Sequence, residues 1–278
     1  MNNDKILDLK KKAADIRLGA IEAVYCGKSG HPGGALSASD VLACLYFSEL
    51  KINPKKPKDE NRDRFILSKG HSCPALYAAM AMRGFFSKDE LKGFRKLGSL
   101  AQGHPDVKTI PGIDMSAGSL GQGFSVACGM ALAAKISGKD YRTYVMIGDG
   151  ESQEGQIWEA TMFAAHYKLD NLCLIVDNNR LQIDGFVKDV MNTMPYPSKF
   201  RAFGWNVVTI DGHNIEEILN AFEVAKSTKG KPTVIIAKTV KGKGVSFMEN
   251  QASWHGKAPN EEQYNQAKKE LEAYKATL

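Results

Sequence analysis

Two stretches, YVMIGDG at 144–150 and LCLIVDNN at 172–179, decide the fold. Each is a short, unbroken apolar run that stops at a cluster of glycine, acid or amide, the pattern of a strand covered on both faces in a parallel sheet. NVVTI (206–210) and TVIIA (233–237) repeat it, and RFILS (64–68) is a further short strand. From residue 144 onward helical segments separate the runs: EGQIWEATMFAAHYK, then PSKFRAFG, then IEEILNAFEVAKS. Strand alternating with helix predicts an α/β fold, a doubly wound, mostly parallel sheet with helices on both faces, joined by right-handed crossovers.

Upstream, the apolar spacing of DKILDLKKKAADIRLGAIEAVY predicts an amphipathic first helix with Lys10, Lys11 and Lys12 on a solvated face. SASDVLACLYFSEL (37–50) predicts a second helix, begun by a serine or aspartate N-cap. Between them CGKSGHPGGALS is too rich in glycine to be assigned to either element. KINPKKPKDENRD (51–63) reads as an exposed loop and KGHS (69–72) as a glycine turn, while PALYAAMAMRGFF and FSVACGMALAAKIS read as helices. Residues 98–123 are glycine-rich and without period, and a loop of that length in a compact chain usually carries function. No repeat or linker divides the chain, so one domain over residues 1–278 is expected, with the polar segment 260–278 as a surface or linker helix.

Composition narrows the class. A chain of 278 residues, 43% hydrophobic and 24% charged, can bury a full core and is not a disordered polymer. No stretch approaches the roughly 18 apolar residues that would span a bilayer. The net charge of +6 is spread along the chain rather than gathered into a stripe with aromatics, so no nucleic-acid partner is indicated. Cys26, Cys44, Cys73, Cys128 and Cys173 are odd in number, form no C-x-x-C pair and sit among apolar or small residues, which suits reduced thiols rather than a disulfide or zinc framework. The charged N-terminal stretch has no apolar signal core. Together these features predict a cytoplasmic protein without membrane attachment.

Ligands of open parallel sheets bind beyond the carboxyl ends of the strands. There stand Gly148, Asp149 and Gly150 after one strand and Asp177, Asn178 and Asn179 after the next. Short oxygen-bearing side chains on neighbouring strand ends, about 4.8 Å apart, can share one hard cation, so Asp149 and Asn179 form a candidate half-shell for Mg²⁺. Magnesium completes its octahedron with water and phosphate oxygens, which implies a phosphorylated ligand. The flanking glycines let the backbone approach a diphosphate. The same G-D-G also fits a plain turn in which Asp149 bonds only backbone amides, and a short glycine motif does not separate the two.

The wider pattern is specific. SGHPGG (29–34), NRDRFILSKGHS (61–72), GHP (103–105), GSLGQG (118–123), GDGESQEG (148–155), NNRLQIDG (178–185) and WHG (254–256), with 30 positions from Asp149 to Asn179, resemble in order the N-terminal diphosphate-binding domain of transketolase. That resemblance implies thiamine diphosphate as cofactor, with Mg²⁺, or Ca²⁺ or Mn²⁺ in its place, on Asp149, Asn179 and the carbonyl of Leu181. It implies that His71, Gly150, Asn179 and His255 contact the diphosphate end, that Gly118, Ser119 and Leu120 approach the aminopyrimidine, and that His31, His104 and His255 line the sugar channel as catalytic imidazoles able to exchange protons near pH 7. Glu154 is implied to sit in a subunit contact, while His166 and His213 are left as structural. Where the family usually has proline and asparagine, this chain has Ser119 and Lys69; the lysine would alter the charge of the channel.

In this family the cofactor, an electron sink for the two-carbon unit, is activated by a glutamate of a second, pyrimidine-binding domain. No such domain follows here, and a usual transketolase is more than twice as long. The resulting expectation is an N-terminal subunit of a split transketolase of the pentose phosphate pathway, active on sugar phosphates only with a C-terminal subunit, as an α2β2 heterotetramer. The competing readings are the α subunit of a 2-oxo acid dehydrogenase, which also pairs GDG with a later asparagine, and a non-catalytic binding protein of the same fold. A dinucleotide site is disfavoured because no G-x-G-x-x-G follows a strand with an acid about 20 residues on.

Overall fold

A computed structural model describes residues 3–278, so the first two residues of the expected domain lie outside the described ones. The strands are β1 (Arg64–Leu67), β2 (Thr143–Gly148), β3 (Leu172–Asn178), a small hairpin of β4 (Leu181–Gln182) and β5 (Gly185–Phe186), then β6 (Asn206–Asp211) and β7 (Thr233–Lys238). All except the hairpin form one parallel sheet in the order β1-β2-β3-β7-β6. The helices run α1 (Asn3–Gly27), α2 (Pro32–Cys44), α3 (Cys73–Arg83), α4 (Gln122–Ile136), α5 (Gly155–His166), the single turn α6 (Val187–Val190), α7 (Tyr196–Ala202), α8 (Ile215–Ser227) and α9 (Glu261–Ala276).

The sheet is covered on both faces, as the unbroken apolar runs require. Successive strand residues point to opposite faces, so Tyr144, Met146, Cys173, Ile175 and Ile235 join the core built with α1, α2, α3 and α8. Val145, Ile147, Leu174, Val176 and Ile236 join the other core, under α4, α5 and α7. This is the doubly wound α/β architecture expected from the pattern. The five cysteines are free and all but Cys26 are buried. No helix among the described residues is long and apolar enough to cross a membrane.

Three details depart from the expectations. The second helix begins at Pro32, inside SGHPGG, five residues before the predicted start at Ser37, and ends in a wider turn over Leu45–Glu49. Proline suits the first turn, where its missing N–H has no helical partner. Gly33 and Gly34 serve close packing there: a Cβ would lie 2.9 Å from the Trp254 carbonyl oxygen at the first and 2.6 Å from Ser72 Oγ at the second. The β4–β5 hairpin was not predicted, because two-residue strands carry no readable period. The terminal helix α9, opened by a capping box between Asn260 and Gln263, docks on α1 and buries Ala267 and Leu271 beside Ile21 and Trp254.

The start of α4 is pressed onto the end of β1. A methyl at Gly123 would sit 2.7 Å from Ser68 Oγ and 2.9 Å from Ser68 Cα. Gly123→Ala should therefore lower stability by about 1–3 kcal/mol in a urea titration. An unchanged midpoint would mean that this contact yields without cost.

Candidate active site

Register fixes the floor of the site. Gly148 at the end of β2 lies opposite Asp177 of β3, which lies opposite Ala237 of β7. Above these ends opens a cavity of about 440 Å³. His31, His71, His104, His255, Gly118, Leu120, Asp149, Gly150, Glu154, Asn179 and Leu181 all line it, although they come from stretches more than two hundred residues apart. Ser119 does not line it; the residue is exposed between two that do.

Asp149 is 2% exposed. Its Oδ1 accepts from Asn178 Nδ2 at 2.7 Å and from the Tyr196 hydroxyl at 2.9 Å, and its Oδ2 accepts from the backbone N–H of Arg180. Burial pushes its carboxyl up to about 6 against the pull of these donors. Asn179 donates through Nδ2 to Asp177 Oδ2 at 3.2 Å and accepts the Leu181 N–H on Oδ1 at 3.1 Å. The turn is thus partly the plain one, with a backbone amide on Asp149, yet Asp149, Asn179 and Leu181 all line the cavity. Among the described residues no three His, Cys, Asp or Glu side chains form a metal cage. A donor set this sparse suits a cation that takes the rest of its shell from water and phosphate.

The imidazoles of His31, His71 and His255 form a triangle with ring centroids 5.0, 5.5 and 5.2 Å apart. Proton exchange near pH 7, expected from the sequence, is not their ligand-free state. Burial, followed by neighbouring cations, pushes His31 down to about 4, His71 to about 2 and His255 to about 3. His104 is lowered by burial and by the Arg95 guanidinium. At neutral pH all four are uncharged rings that offer one donor and one acceptor each.

Of the cations responsible, Lys69 was read in the sequence as altering the charge of the channel, while Lys241 and Arg95 were missed. Lys69 is buried, with Nζ 2.6 Å from Asp177 Oδ2 and 2.7 Å from the Gly34 carbonyl oxygen. Asp177 also accepts from Ser37 and Thr239. The charge that Lys69 brings in place of asparagine is therefore neutralised within the sheet floor. Lys241, 2% exposed, donates to His255 Nδ1 at 2.8 Å and forms no ion pair with a carboxylate among the described residues. That bond leaves the proton of His255 on Nε2. A buried, unpaired ammonium is costly unless an anion meets it, and Lys241 faces the cavity. Ser72 Oγ, also buried at the cavity, has no hydrogen-bond partner. Both unfilled groups fit a polyanionic ligand. Arg95 reaches Ser29 Oγ at 2.7 Å and His31 Nδ1 at 3.4 Å. Lys241, which opens the KGKG stretch at 241–244, could have been flagged from the sequence by the glycine that follows it.

Glu154 is exposed at the cavity mouth, next to Gly121. His166 is exposed against Tyr167. His213 contacts Asp40 Oδ2 at 2.7 Å and accepts the Val240 N–H at 2.8 Å, which ties it to the loop that carries Lys241.

A cavity at the carboxyl edge of a doubly wound parallel sheet, lined by a buried lysine without a carboxylate partner among the described residues, has the form of an α/β cofactor-binding domain. Residues 9–276 match the family described as transketolase, thiamine diphosphate binding domain, and the chain belongs to that family. It is 46% identical over 270 residues to the 6-deoxy-6-sulfo-D-fructose transketolase subunit of a Clostridium species, with 97% of this chain and 98% of that protein covered. It is 46% identical over 251 residues to one of the subunits of the apulose-4-phosphate transketolase of Phocaeicola vulgatus, with 90% and 89% covered. The crystal structure of transketolase from Campylobacter jejuni superposes with a TM-score of 0.91 at 38% identity, over 98% of this chain but only 43% of that one. The family match decides against the 2-oxo acid dehydrogenase alternative.

Proposed function

We propose that this chain is the thiamine-diphosphate-binding subunit of a two-chain transketolase, which moves a two-carbon ketol unit between sugar phosphates in a cytoplasmic pentose phosphate pathway. One observation carries the reading: the chain matches relatives named as subunits over 98% and 89% of their length, but only 43% of a transketolase in which both parts share a chain. Asp149, Asn179 and the Leu181 carbonyl bind Mg²⁺, for which Ca²⁺ or Mn²⁺ can substitute. Gly150, His71, His255 and Asn179 contact the diphosphate, and Lys241 adds the missing counter-charge. Gly118 and Leu120, which line the cavity on either side of Ser119, approach the aminopyrimidine.

Thiamine diphosphate, when bound, supplies the electron sink for the transferred unit. The protein's own contribution is orientation and hydrogen bonding. His31, His104 and the Nε2–H of His255 meet ketose hydroxyls as neutral rings, and the diphosphate raises their basicity by opposing the lysine charges. Glu154 and the exposed apolar side chains of Met162 and Phe163 on α5 and of Tyr167 just after it face the C-terminal subunit in an α2β2 assembly. An exposed apolar group of that kind suits a partner surface.

The experiment is reconstitution. This chain alone, with thiamine diphosphate, Mg²⁺ and a ketose phosphate donor, should transfer no ketol unit; addition of the C-terminal chain should start turnover. Full turnover by this chain alone would sink the two-chain assignment, and turnover of 2-oxo acids in place of ketose phosphates would sink the transketolase assignment.

A further inference from the structure

Glu151 is an acid that the mechanism does not use. It is 2% exposed, two residues beyond Asp149, in a short turn over Gly150–Gln153. Its Oε1 accepts the Gly121 N–H at 2.9 Å and the Ser68 hydroxyl, and its Oε2 accepts the Gly148 N–H at 3.1 Å. N–H donors on both oxygens suit a carboxylate, which accepts only.

Gly148 lines the cavity, and Ser68 and Gly121 adjoin Lys69 and Leu120, which line it. Ser68 follows β1 directly and leads into Lys69 and His71. Gly148 ends β2 and leads into Asp149 and Gly150. Gly121 closes the loop that begins at Gly118 and is the N-cap of α4, with a left-handed φ of 82° and no side chain to cap the helix. Free N–H groups and positive potential gather at such an end, and here the capping oxygen comes from a residue 30 positions away. These segments also touch directly: a Cβ on Gly70 would lie 3.0 Å from Ala117, and one on Gly123 2.9 Å from Ser68 Cα.

We propose that Glu151 is a positioning residue whose carboxylate locks the 118–121 loop to the ends of β1 and β2, and so holds the aminopyrimidine wall and the diphosphate wall of the cradle at one spacing. The cofactor part of this inference rests on the function proposed above. The lock itself is present in the ligand-free chain.

Hydrogen exchange and cofactor titration test it together. In Glu151→Gln one oxygen becomes an NH₂ group that opposes a backbone N–H, so amide exchange at 118–122 and at Gly148 should quicken by about tenfold, while residues 206–211 exchange as before. In the reconstituted complex the apparent KM for thiamine diphosphate should rise by about tenfold, with kcat at saturating cofactor essentially retained, because no reacting atom is touched. Ser68→Ala removes one donor and leaves the charge, should give a smaller shift in the same sense, and carries the test if the glutamine variant does not fold. Unchanged protection at 118–122 would overturn the proposal. So would a uniform rise in exchange across the sheet, or a loss in kcat that saturation does not restore. Failure of the unaltered complex to bind thiamine diphosphate would overturn the functional reading instead, and the exchange arm would still decide the lock.

Discussion

Asp149→Ala is expected to lower the affinity of the reconstituted complex for thiamine diphosphate with Mg²⁺ by roughly two to three orders of magnitude, the scale of removing one partner from a buried charged contact. The carboxylate is the one acid in the proposed metal shell. Without it two neutral carbonyl oxygens face the cation, and water and phosphate must supply the remaining charge. The same substitution strips the acceptor from Asn178, Tyr196 and the Arg180 amide, at about 1–3 kcal/mol for each donor left unpaired. Calorimetric binding must therefore be read beside an unfolding curve. Asp149→Asn keeps the size and one acceptor oxygen while removing the charge, so it should fold and still bind poorly. Mg²⁺-dependent binding unchanged in both variants would remove Asp149 from the site.

Lys241→Met should act in opposite directions on ligand and fold. Loss of the cation should weaken thiamine diphosphate binding by about 10- to 100-fold. Replacing a buried unpaired charge by an apolar side chain of similar length should leave the ligand-free chain as stable as before or more so. Burial, and then the Lys69 ammonium, push Lys241 down to about 8 although Asp177 and Asp149 pull it upward; His255 receives its hydrogen bond. The ammonium is therefore lost as pH rises through about 8 in the ligand-free site, and cofactor affinity should fall above that pH. Stability moves the other way. Between about 8 and the ordinary 10.5 the unfolded chain binds more protons than the folded one, so ligand-free stability rises with pH across that window. Lys241→Met should flatten both profiles. Binding by this variant as tight as that of the unaltered complex would show that another group meets the anion.

The strands were legible because burial on both faces leaves a mark that is local: four or five apolar residues without alternation, then a polar stop. Helix α2 was read short for an equally local reason. Glycine reads as a breaker, yet Gly33 and Gly34 sit in a helical turn that must pass within contact distance of Trp254 and Ser72. The histidine loops were legible from their motifs, and the structure gathers them into one cavity, but their neutrality was not. The role of Glu151 carried no local signal in GDGESQEG; its carboxylate is turned inward onto Ser68, Gly121 and Gly148.

By itself the sequence determined the α/β alternation and the chemistry at each strand end, because periodicity and turn composition act over a few neighbouring residues. Only the tertiary structure decided the charge of the site. Lys69 is paired with Asp177 from 108 residues away, whereas Lys241 meets His255 and no acid. Which cation is spent within the fold, and which is left for a ligand, depends on burial and on separations of a few ångströms, across which Coulomb energies change by several kcal/mol.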